Sequence, residues 1–270
     1  MTVTRSRLAA DLRGLGLREG GVAMVHTRMS AIGWVVGAAE TVVLALLDAL
    51  GRDGTLMVYT AWEEHAYHDG ERPQEHLHGY RAEPPVFDLL TSEAARDHGR
   101  VPERVRTWPG ARRSAHPEAS VVAVGLRADW LVDPHPDNDA YGAESPFARF
   151  VEAGGQVLML GAPLDTVTLL HHAEGIARVP DKRRVTFRVA FPDGEREYTD
   201  IDTSNGAFPY ERLGLDEDSF AVIAREALGA GIGVSGRVGA AESHLFDARR
   251  LTEYAVAWME ERFRDPAPPR

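Results

Sequence analysis

Two apolar runs joined by a helical pattern constrain the fold of this chain more than any other feature. Residues 22 to 26 and 55 to 60 are short and apolar, and residues 38 to 50 between them have the apolar spacing of a core-facing helix. Strands that are apolar throughout and joined by a helix pair in parallel, with the sheet covered on both faces. The pattern predicts an α/β fold with a mostly parallel central sheet flanked by helices.

Further segments extend this pattern toward the carboxyl end. Residues 120 to 125 and 156 to 161 read as buried strands, and residues 184 to 202 alternate in polarity around a Pro-Asp-Gly turn, as a β-hairpin does. No repeat or linker divides the sequence, and 270 residues are enough to bury one large core. We therefore expect one domain over residues 1 to 270, with a smaller antiparallel hairpin and an acidic substrate-side insert over residues 184 to 218.

Composition narrows the chemistry that the chain can perform. The sequence contains no cysteine, which excludes disulfides, thiolate metal ligands and an enzyme thioester. A formal charge of -11 disfavours a nucleic-acid partner and suits a cationic small molecule. No segment reaches the roughly 18 apolar residues of a membrane span, and the amino terminus lacks a signal-peptide core. We therefore expect a cytoplasmic protein that does not associate with membranes.

The segment Thr-Leu-Leu-His-His-Ala-Glu, residues 168 to 174, is the strongest candidate for catalysis. It follows a predicted strand and a turn in which Asp165 is a plausible cap for the next helix. On that helix, His171 and Glu174 stand three residues apart and share one face. A carboxylate fixes the tautomer of a neighbouring imidazole and favours its protonation, as a general base requires. An ordinary surface ion pair is the alternative. His26 ends another predicted strand, where ligands gather in parallel sheets, and this favours the catalytic interpretation.

Two other groups of polar residues suggest ligand contacts. The segment with Arg112, Arg113, Ser114 and His116 combines arginine forks with a hydroxyl, which suits a phosphate, although a solvated basic turn would have the same composition. The long polar stretch of residues 61 to 85 is predicted to be a lid or a substrate rim. Its four histidines lack the rigid spacing of a metal site, so no metal is predicted.

Several of these segments together resemble the aminoglycoside 3-N-acetyltransferase family. The matching pieces are residues 25 to 33, 54 to 56, 112 to 117, Tyr141-Gly142, Ser145-Pro146, residues 170 to 174, Asp202-Thr203-Ser204, and residues 236 to 240 with Leu245. They span nearly the whole chain in the family's order. The chain departs from many relatives in having Thr27 in place of serine, which keeps the hydroxyl, and His172 where tyrosine or leucine is commoner.

The resemblance implies a specific reaction. Acetyl-coenzyme A and a deoxystreptamine aminoglycoside would bind together, the 3-amino group would attack the thioester directly, and the modified antibiotic would no longer act. His171 would be the base and Glu174 would orient it. The carrier would contact His26, Thr27, Ser30, Arg112, Arg113, Ser114 and His116. On the antibiotic side, our own expectation, beyond what the resemblance implies, is contact with Trp62, Tyr67 and Asp202.

The sequence leaves two alternatives to this reaction open. The same chemistry could act on another amine, such as a natural-product intermediate, and an acetylation panel would distinguish the two. A non-catalytic aminoglycoside-binding protein would need an acidic cleft but neither a base nor a carrier site, so the His171 and Arg113 segments speak against it. A monomer or a homodimer is expected.

Overall fold

The computed structural model describes residues 2 to 215 and 219 to 264. Its strands are β1 (Thr2–Val3), β2 (Val22–Thr27), β3 (Trp34–Val35), β4 (Thr55–Tyr59), β5 (Arg112–Arg113), β6 (Val121–Gly125), β7 (Gln156–Leu160), β8 (Arg184–Phe191), β9 (Gly194–Ile201), β10 (Gly233–Val238) and β11 (Ala241–Asp247). Its α-helices are α1 (Arg5–Leu15), α2 (Met29–Ile32), α3 (Ala38–Leu50), α4 (Gln74–Ala82), α5 (Arg100–Arg106), α6 (Ala128–Val132), α7 (Pro146–Glu152), α8 (Leu169–Ile176), α9 (Ser219–Gly229) and α10 (Ala248–Arg262). The end of the predicted insert, residues 216 to 218, lies outside the described part.

Within the described residues, the central sheet has the strand order β10-β11-β7-β2-β4-β6-β5. Strands β7, β2 and β4 run parallel, whereas each further strand pairs antiparallel with its neighbour. The predicted α/β fold with flanking helices and a β8-β9 hairpin is confirmed. The sheet is mixed around a parallel centre rather than parallel throughout, because an apolar run has the same appearance whichever way its strand points.

Helices cover both faces of this sheet, as the continuous apolar strands require. Along β2, Met24 points into one core and Val25 into the other. Helices α7, α8, α9 and α10 contribute to the first core, and α1, α3 and α5 contribute to the second. No helix within residues 2 to 215 and 219 to 264 combines the length and the apolar character needed to cross a bilayer.

The stretch of residues 61 to 85 is more ordered than a lid loop would be. It contains a short 3₁₀ helix, Ala66–Glu71, and the α-helix α4. Trp62 packs with Phe87 and with Phe187 and Tyr198 of the β8-β9 hairpin in a separate aromatic cluster. The hairpin therefore anchors this segment beside the central sheet.

Candidate active site

The chain beyond β7 forms a tight turn before α8. Gly161 has a φ of +66°, and a Cβ atom there would lie 2.7 Å from the Cβ of Ala31, so both conformation and space favour glycine. The sequence suggested Asp165 as the cap of the following helix. Instead Asp165 lies in a 3₁₀ helix, Leu164–Thr166, and α8 begins at Leu169 without a side-chain cap. This leaves Asp165 exposed at the carboxyl edge of the sheet.

His171 and Glu174 form a hydrogen-bonded pair on α8. Nδ1 of His171 lies 2.7 Å from Oε2 of Glu174. The Glu174 side chain is 0% exposed, whereas that of His171 is 20% exposed. Among the described residues Nε2 of His171 makes no hydrogen bond, so the pair presents one ring nitrogen to a buried carboxylate and keeps the other available.

The surroundings of this pair restrict its motion. The hydroxyl of Tyr210 donates to Oε1 of Glu174 at 2.8 Å. The His171 ring packs against the rings of Tyr141 and Phe220, with centroid distances of 5.2 and 4.7 Å. His172 points elsewhere, because its Nδ1 lies 2.7 Å from the backbone oxygen of Tyr141 and its ring is buried. Burial also lowers the pKa of His172.

Two cavities meet at His171. The first cavity, of about 380 Å³, is lined by Asp165, His171, Glu174, Thr203, Ser204, Asn205, Gly206, Tyr210, Glu211, Ser219 and Phe220. The second cavity, of about 480 Å³, is lined by Val25, His26, Thr27, Arg28, Tyr59, Asp97, His98, Pro102, Ala162, Pro163, Asp165, Thr166, Thr168, His171 and Phe220. Because His171, Asp165 and Phe220 line both cavities, a molecule in either one would meet the imidazole.

Strand β2 brings the first predicted carrier residues to the second cavity. His26 and Thr27 both line it, and their Nε2 and Oγ1 atoms are buried without a hydrogen-bond partner in the described part of the chain. Burial, with the nearby His98, lowers the pKa of His26 to about 3, so this imidazole is neutral. Ser30 lies exposed on α2, and it is not among the residues that line either cavity.

The predicted phosphate-binding segment, residues 112 to 116, lies outside both cavities. The Arg113 guanidinium donates to the backbone oxygens of Ser92 and Thr60, at 2.5 and 2.7 Å, and burial lowers its pKa to about 10. The other three members are also engaged or enclosed: Arg112 pairs with Asp129, the Ser114 hydroxyl accepts from the Val121 amide, and His116 is fully buried with a pKa lowered to about 4 by burial. None of these four residues lines either cavity, and the Ser114 hydroxyl links the chain after β5 to β6.

Tyr67 and Asp202 meet directly, as neighbours of the first cavity. The Tyr67 hydroxyl donates to Oδ1 of Asp202 at 2.9 Å and accepts from the Ser204 amide at 2.8 Å. These bonds hold the loop of residues 203 to 206, which lines that cavity. Trp62 is buried in the aromatic cluster and lines neither cavity. Tyr67 and Asp202 thus shape the rim, while Trp62 lies behind it.

Comparison with known proteins identifies the family. A family model described as "Aminoglycoside 3-N-acetyltransferase" matches residues 24 to 260. The chain belongs to the aminoglycoside 3-N-acetyltransferase family. The predicted family is confirmed, and with it the enzyme class, an acyltransferase.

Relatives of this family match over nearly their whole lengths. Aminoglycoside N(3)-acetyltransferase VIII of Streptomyces fradiae is 51% identical over 267 residues, covering 96% of this chain and 93% of the relative. Aminoglycoside N(3)-acetyltransferase VII of Streptomyces paromomycinus is 49% identical, with coverages of 96% and 92%.

Solved structures agree with the fold. The crystal structure of aminoglycoside acetyltransferase AAC(3)-Xa superposes with a TM-score of 0.89 at 47% identity, covering 98% of this chain and 95% of that one. AAC-IIIb in a binary complex with CoASH gives a TM-score of 0.87 at 44% identity, with coverages of 99% and 100%. AAC-VIa bound to sisomicin gives 0.88 at 35% identity, with coverages of 97% and 100%.

Several residues of this acetyltransferase site could not be recognised from the sequence. Tyr210, Phe220 and His98 carry no motif of their own, and they reach the site only through the packing of distant elements. Asp165 carried a signal, since it follows the turn after β7, but that signal was assigned to helix capping. A carboxylate just beyond the end of a central strand could also have been read as a ligand contact.

The buried carboxylate of Glu118 contacts two histidines of the predicted lid, His65 and His68. Oε2 of Glu118 lies 2.8 Å from Nε2 of His68 and 3.2 Å from Nε2 of His65. Burial would raise the pKa of Glu118, but the hydrogen bond from His68 and the close approach of His65 lower it to about 2. Burial would lower the pKa of His68, but Glu118 raises it to about 9. These three side chains are close enough to hold a metal ion, and so are Glu63, Asp97 and His98. The short distances among His65, His68 and Glu118 are explained by the buried ion pair itself.

The ion pair of His68 and Glu118 should make the stability of the folded protein depend on pH. A histidine whose pKa rises from 6.5 to about 9 on folding stabilises the protein fully below pH 6.5, and this contribution is lost as the pH rises toward 9. We expect the melting temperature to fall over that interval in the wild type and to fall less in His68→Gln, by roughly 2 to 4 °C for each kcal/mol involved. Differential scanning fluorimetry checks this, with the exposed His76→Gln as control. Equal slopes in all three proteins would exclude the ion pair.

Proposed function

We propose that this protein transfers the acetyl group of acetyl-coenzyme A to the 3-amino group of a deoxystreptamine aminoglycoside, by direct attack within a ternary complex, and thereby confers resistance to the antibiotic. The observation that carries the proposal is the position of His171. It lines both cavities, and its Nδ1 is held by the buried carboxylate of Glu174. A base placed between two binding cavities suits a reaction in which both substrates are present together.

The chemistry follows from this placement. An alkylammonium has no lone pair for attack, so Nε2 of His171 first takes a proton from the acceptor amine, and Glu174 stabilises the resulting imidazolium. The amine nitrogen then bonds to the thioester carbonyl carbon. When the tetrahedral intermediate collapses, the carbon–sulfur bond breaks and His171 returns its proton to the leaving sulfur. The attacking nitrogen then carries one proton more than an amide does, and it releases this proton to solvent. Such acid–base catalysis typically contributes about 10²- to 10⁴-fold, and alignment of both substrates contributes further.

The first cavity suits the cationic acceptor. Glu211 lines it, and Asp165 lies at its junction with the second cavity. The negative charge of the chain favours the approach of a polycation, and the attraction weakens as salt screens it. The relative AAC-VIa has been solved with sisomicin bound, which supports an aminoglycoside as the acceptor.

The second cavity adjoins a cleft whose arginines suit the phosphates of the carrier. A third cavity, of about 470 Å³, is lined by three arginines, three glutamates and the amino-terminal turn of α3; the charged residues are Arg96, Arg100, Arg104, Glu40, Glu93 and Glu103. Arg104 pairs with Glu40 at 3.2 Å, which leaves Arg96 and Arg100 as the better candidates for a ligand. Asp97 and His98 line the second cavity, and their chain neighbours Arg96, Gly99 and Arg100 line the third, so the two cavities adjoin. Guanidinium forks and the positive end of a helix suit phosphates. We place the phosphates of coenzyme A here rather than at Arg113, whose donors are already used.

Arg100→Ala tests which of these two locations binds the phosphates of coenzyme A. Removing this exposed cation is expected to raise the KM for acetyl-coenzyme A by about 10-fold with kcat nearly unchanged, because a charge-assisted contact to phosphate contributes on the order of 1.5 kcal/mol. Arg112→Ala removes a comparably exposed arginine of the segment suggested by sequence. Steady-state kinetics with both variants provide the test. A larger effect at Arg112 would favour the original location.

Initial velocities test whether both substrates must be bound before the acetyl group is transferred. With both substrates varied, a ternary complex gives intersecting double-reciprocal lines, whereas an acetyl-enzyme intermediate gives parallel lines. We expect intersecting lines and release of free thiol only when the aminoglycoside is present. Parallel lines would contradict direct attack, and a protein that binds the antibiotic without releasing thiol would be a binding protein.

A further inference from the structure

Thr168 stands at the start of α8, but it does not cap this helix. Threonine is a preferred residue at the amino end of a helix, where its hydroxyl accepts a hydrogen bond from a first-turn amide. Such a cap needs extended backbone angles, whereas Thr168 has helical ones, with a φ of -54° and a ψ of -28°, and its side chain makes no capping hydrogen bond. The hydroxyl is therefore available to another partner.

The Thr168 hydroxyl faces the second cavity. Thr168 lines that cavity and not the first, and the residue is only 7% exposed. Across the described residues its oxygen makes no hydrogen bond, yet it is not among the polar atoms that are sealed from solvent without a partner. A nearly buried polar oxygen costs stability unless something bonds to it. This oxygen therefore suits a ligand in the second cavity.

The backbone at the start of α8 adds positive charge beside this hydroxyl. The amides of Leu170 and His171 donate to the backbone oxygens of Val167 and Thr168, at 2.9 and 3.0 Å, whereas the amides of Thr168 and Leu169 have no backbone acceptor in the described part of the chain. The aligned peptide dipoles give this end of a helix a partial positive charge. The hydroxyl and the helix end together suit an oxygen that becomes negative, rather than a cationic amine.

Thr168 lies on the carrier side of the base. It precedes His171 by three residues at the start of the same helix, a spacing that places the two Cβ atoms about 5 to 6 Å apart. His171 lines both cavities, whereas Thr168 lines only the second. A thioester that enters from the second cavity would meet the hydroxyl of Thr168 close to the amine held at His171.

We propose that Thr168 is a further catalytic residue, whose hydroxyl binds the carbonyl oxygen of the acetyl thioester and, with the positive end of α8, stabilises the oxyanion of the tetrahedral intermediate. The inference rests on the proposed function. When the amine nitrogen bonds to the carbonyl carbon, the π electrons of the carbonyl move to its oxygen. The hydroxyl donates a hydrogen bond to this oxygen and keeps its proton. The carbonyl re-forms when the carbon–sulfur bond breaks and its electron pair leaves on sulfur.

Thr168→Val removes the hydroxyl and keeps the branched shape of the side chain. We expect kcat to fall about 100-fold, the usual effect of losing one oxyanion donor. The KM values of both substrates should change by less than about twofold, because the contact is strongest in the transition state. Thr168→Ser keeps a hydroxyl at the same place, so it should retain kcat within about threefold of the wild type.

Two further measurements distinguish this role from a structural one. Isothermal titration calorimetry should give Thr168→Val and the wild type the same affinity for coenzyme A, because this ligand has no thioester carbonyl. The acid limb of the pH profile of kcat/KM should not move, because the His171–Glu174 pair is intact. Thr252→Val is the matched control: its hydroxyl, on α10, is also buried without a partner in the described part of the chain, but Thr252 lines neither cavity. Its kcat should match the wild type.

An undiminished kcat in Thr168→Val, or an equal loss in Thr168→Val and Thr168→Ser, would overturn the inference. So would a weaker affinity for coenzyme A or a displaced acid limb, because the hydroxyl would then act on carrier binding or on the base. None of these results affects the proposed function as long as His171→Ala loses turnover. An active His171→Ala enzyme would instead contradict the proposed function itself, so the two failures are distinguishable.

Discussion

Replacing His171 with alanine is expected to lower kcat by about 10²- to 10⁴-fold, the usual contribution of a positioned general base. The acceptor amine would stay protonated in the complex, because no other imidazole lies at the junction of the two cavities within the described residues. Coenzyme A binding should be nearly unchanged. Thiol release at saturating acceptor measures kcat, and isothermal titration calorimetry measures the affinity for coenzyme A.

His244→Ala is the appropriate control for this variant. His244 is a partly buried histidine of β11, hydrogen-bonded to Ser235 and absent from the lining of either cavity. It should retain near wild-type kcat. If His171→Ala kept more than about a tenth of wild-type kcat while binding both substrates, the imidazole would not be the base.

Glu174→Gln should have the next largest effect, lowering kcat by about 10- to 100-fold. The amide has nearly the size of the carboxylate, but it carries no charge to stabilise the imidazolium. Its single carbonyl oxygen replaces two acceptors, so either His171 or Tyr210 loses its hydrogen-bond acceptor. The pKa of the acid limb in kcat/KM should fall, because His171 then holds its proton less tightly.

A surface glutamate provides the comparison for Glu174. Glu226→Gln also alters a carboxylate that accepts from an aromatic side chain, Trp258 at 2.8 Å, but outside the cavities. Its kcat and pH profile should match the wild type. A Glu174→Gln enzyme with the same profile as Glu226→Gln would show that the carboxylate does not act on the base.

The His171-Glu174 pair could be predicted because its geometry is local. Residues three apart on a helix face each other whatever the surrounding fold, and the strand before them was apolar enough to recognise. The apolar runs likewise identified β2, β4 and β7, since strands with helices on both faces have apolar residues at every position. His26 was placed correctly at a strand end for the same reason.

Contacts between distant elements could not be predicted in this way. Tyr210 reaches Glu174 across 36 residues, and nothing in its local sequence distinguishes it from an ordinary core tyrosine. Arg113 next to Ser114 looks the same in the sequence whether its guanidinium contacts a phosphate or backbone oxygens, and its contacts with Ser92 and Thr60 are visible only in the folded chain. The role proposed for Arg96 and Arg100 could not be predicted either, because the cleft that they line exists only after folding.

Mass spectrometry of a gentamicin-like aminoglycoside after incubation with acetyl-coenzyme A tests the central claim most directly. The wild type and His171→Ala are compared, and the intact protein is weighed in the same samples. The account predicts a single acetyl group on the 3-amino nitrogen with wild type, almost none with His171→Ala, and an unmodified protein mass throughout. Acetylation of the protein itself, acetylation at another nitrogen, or equal product from both proteins would contradict it.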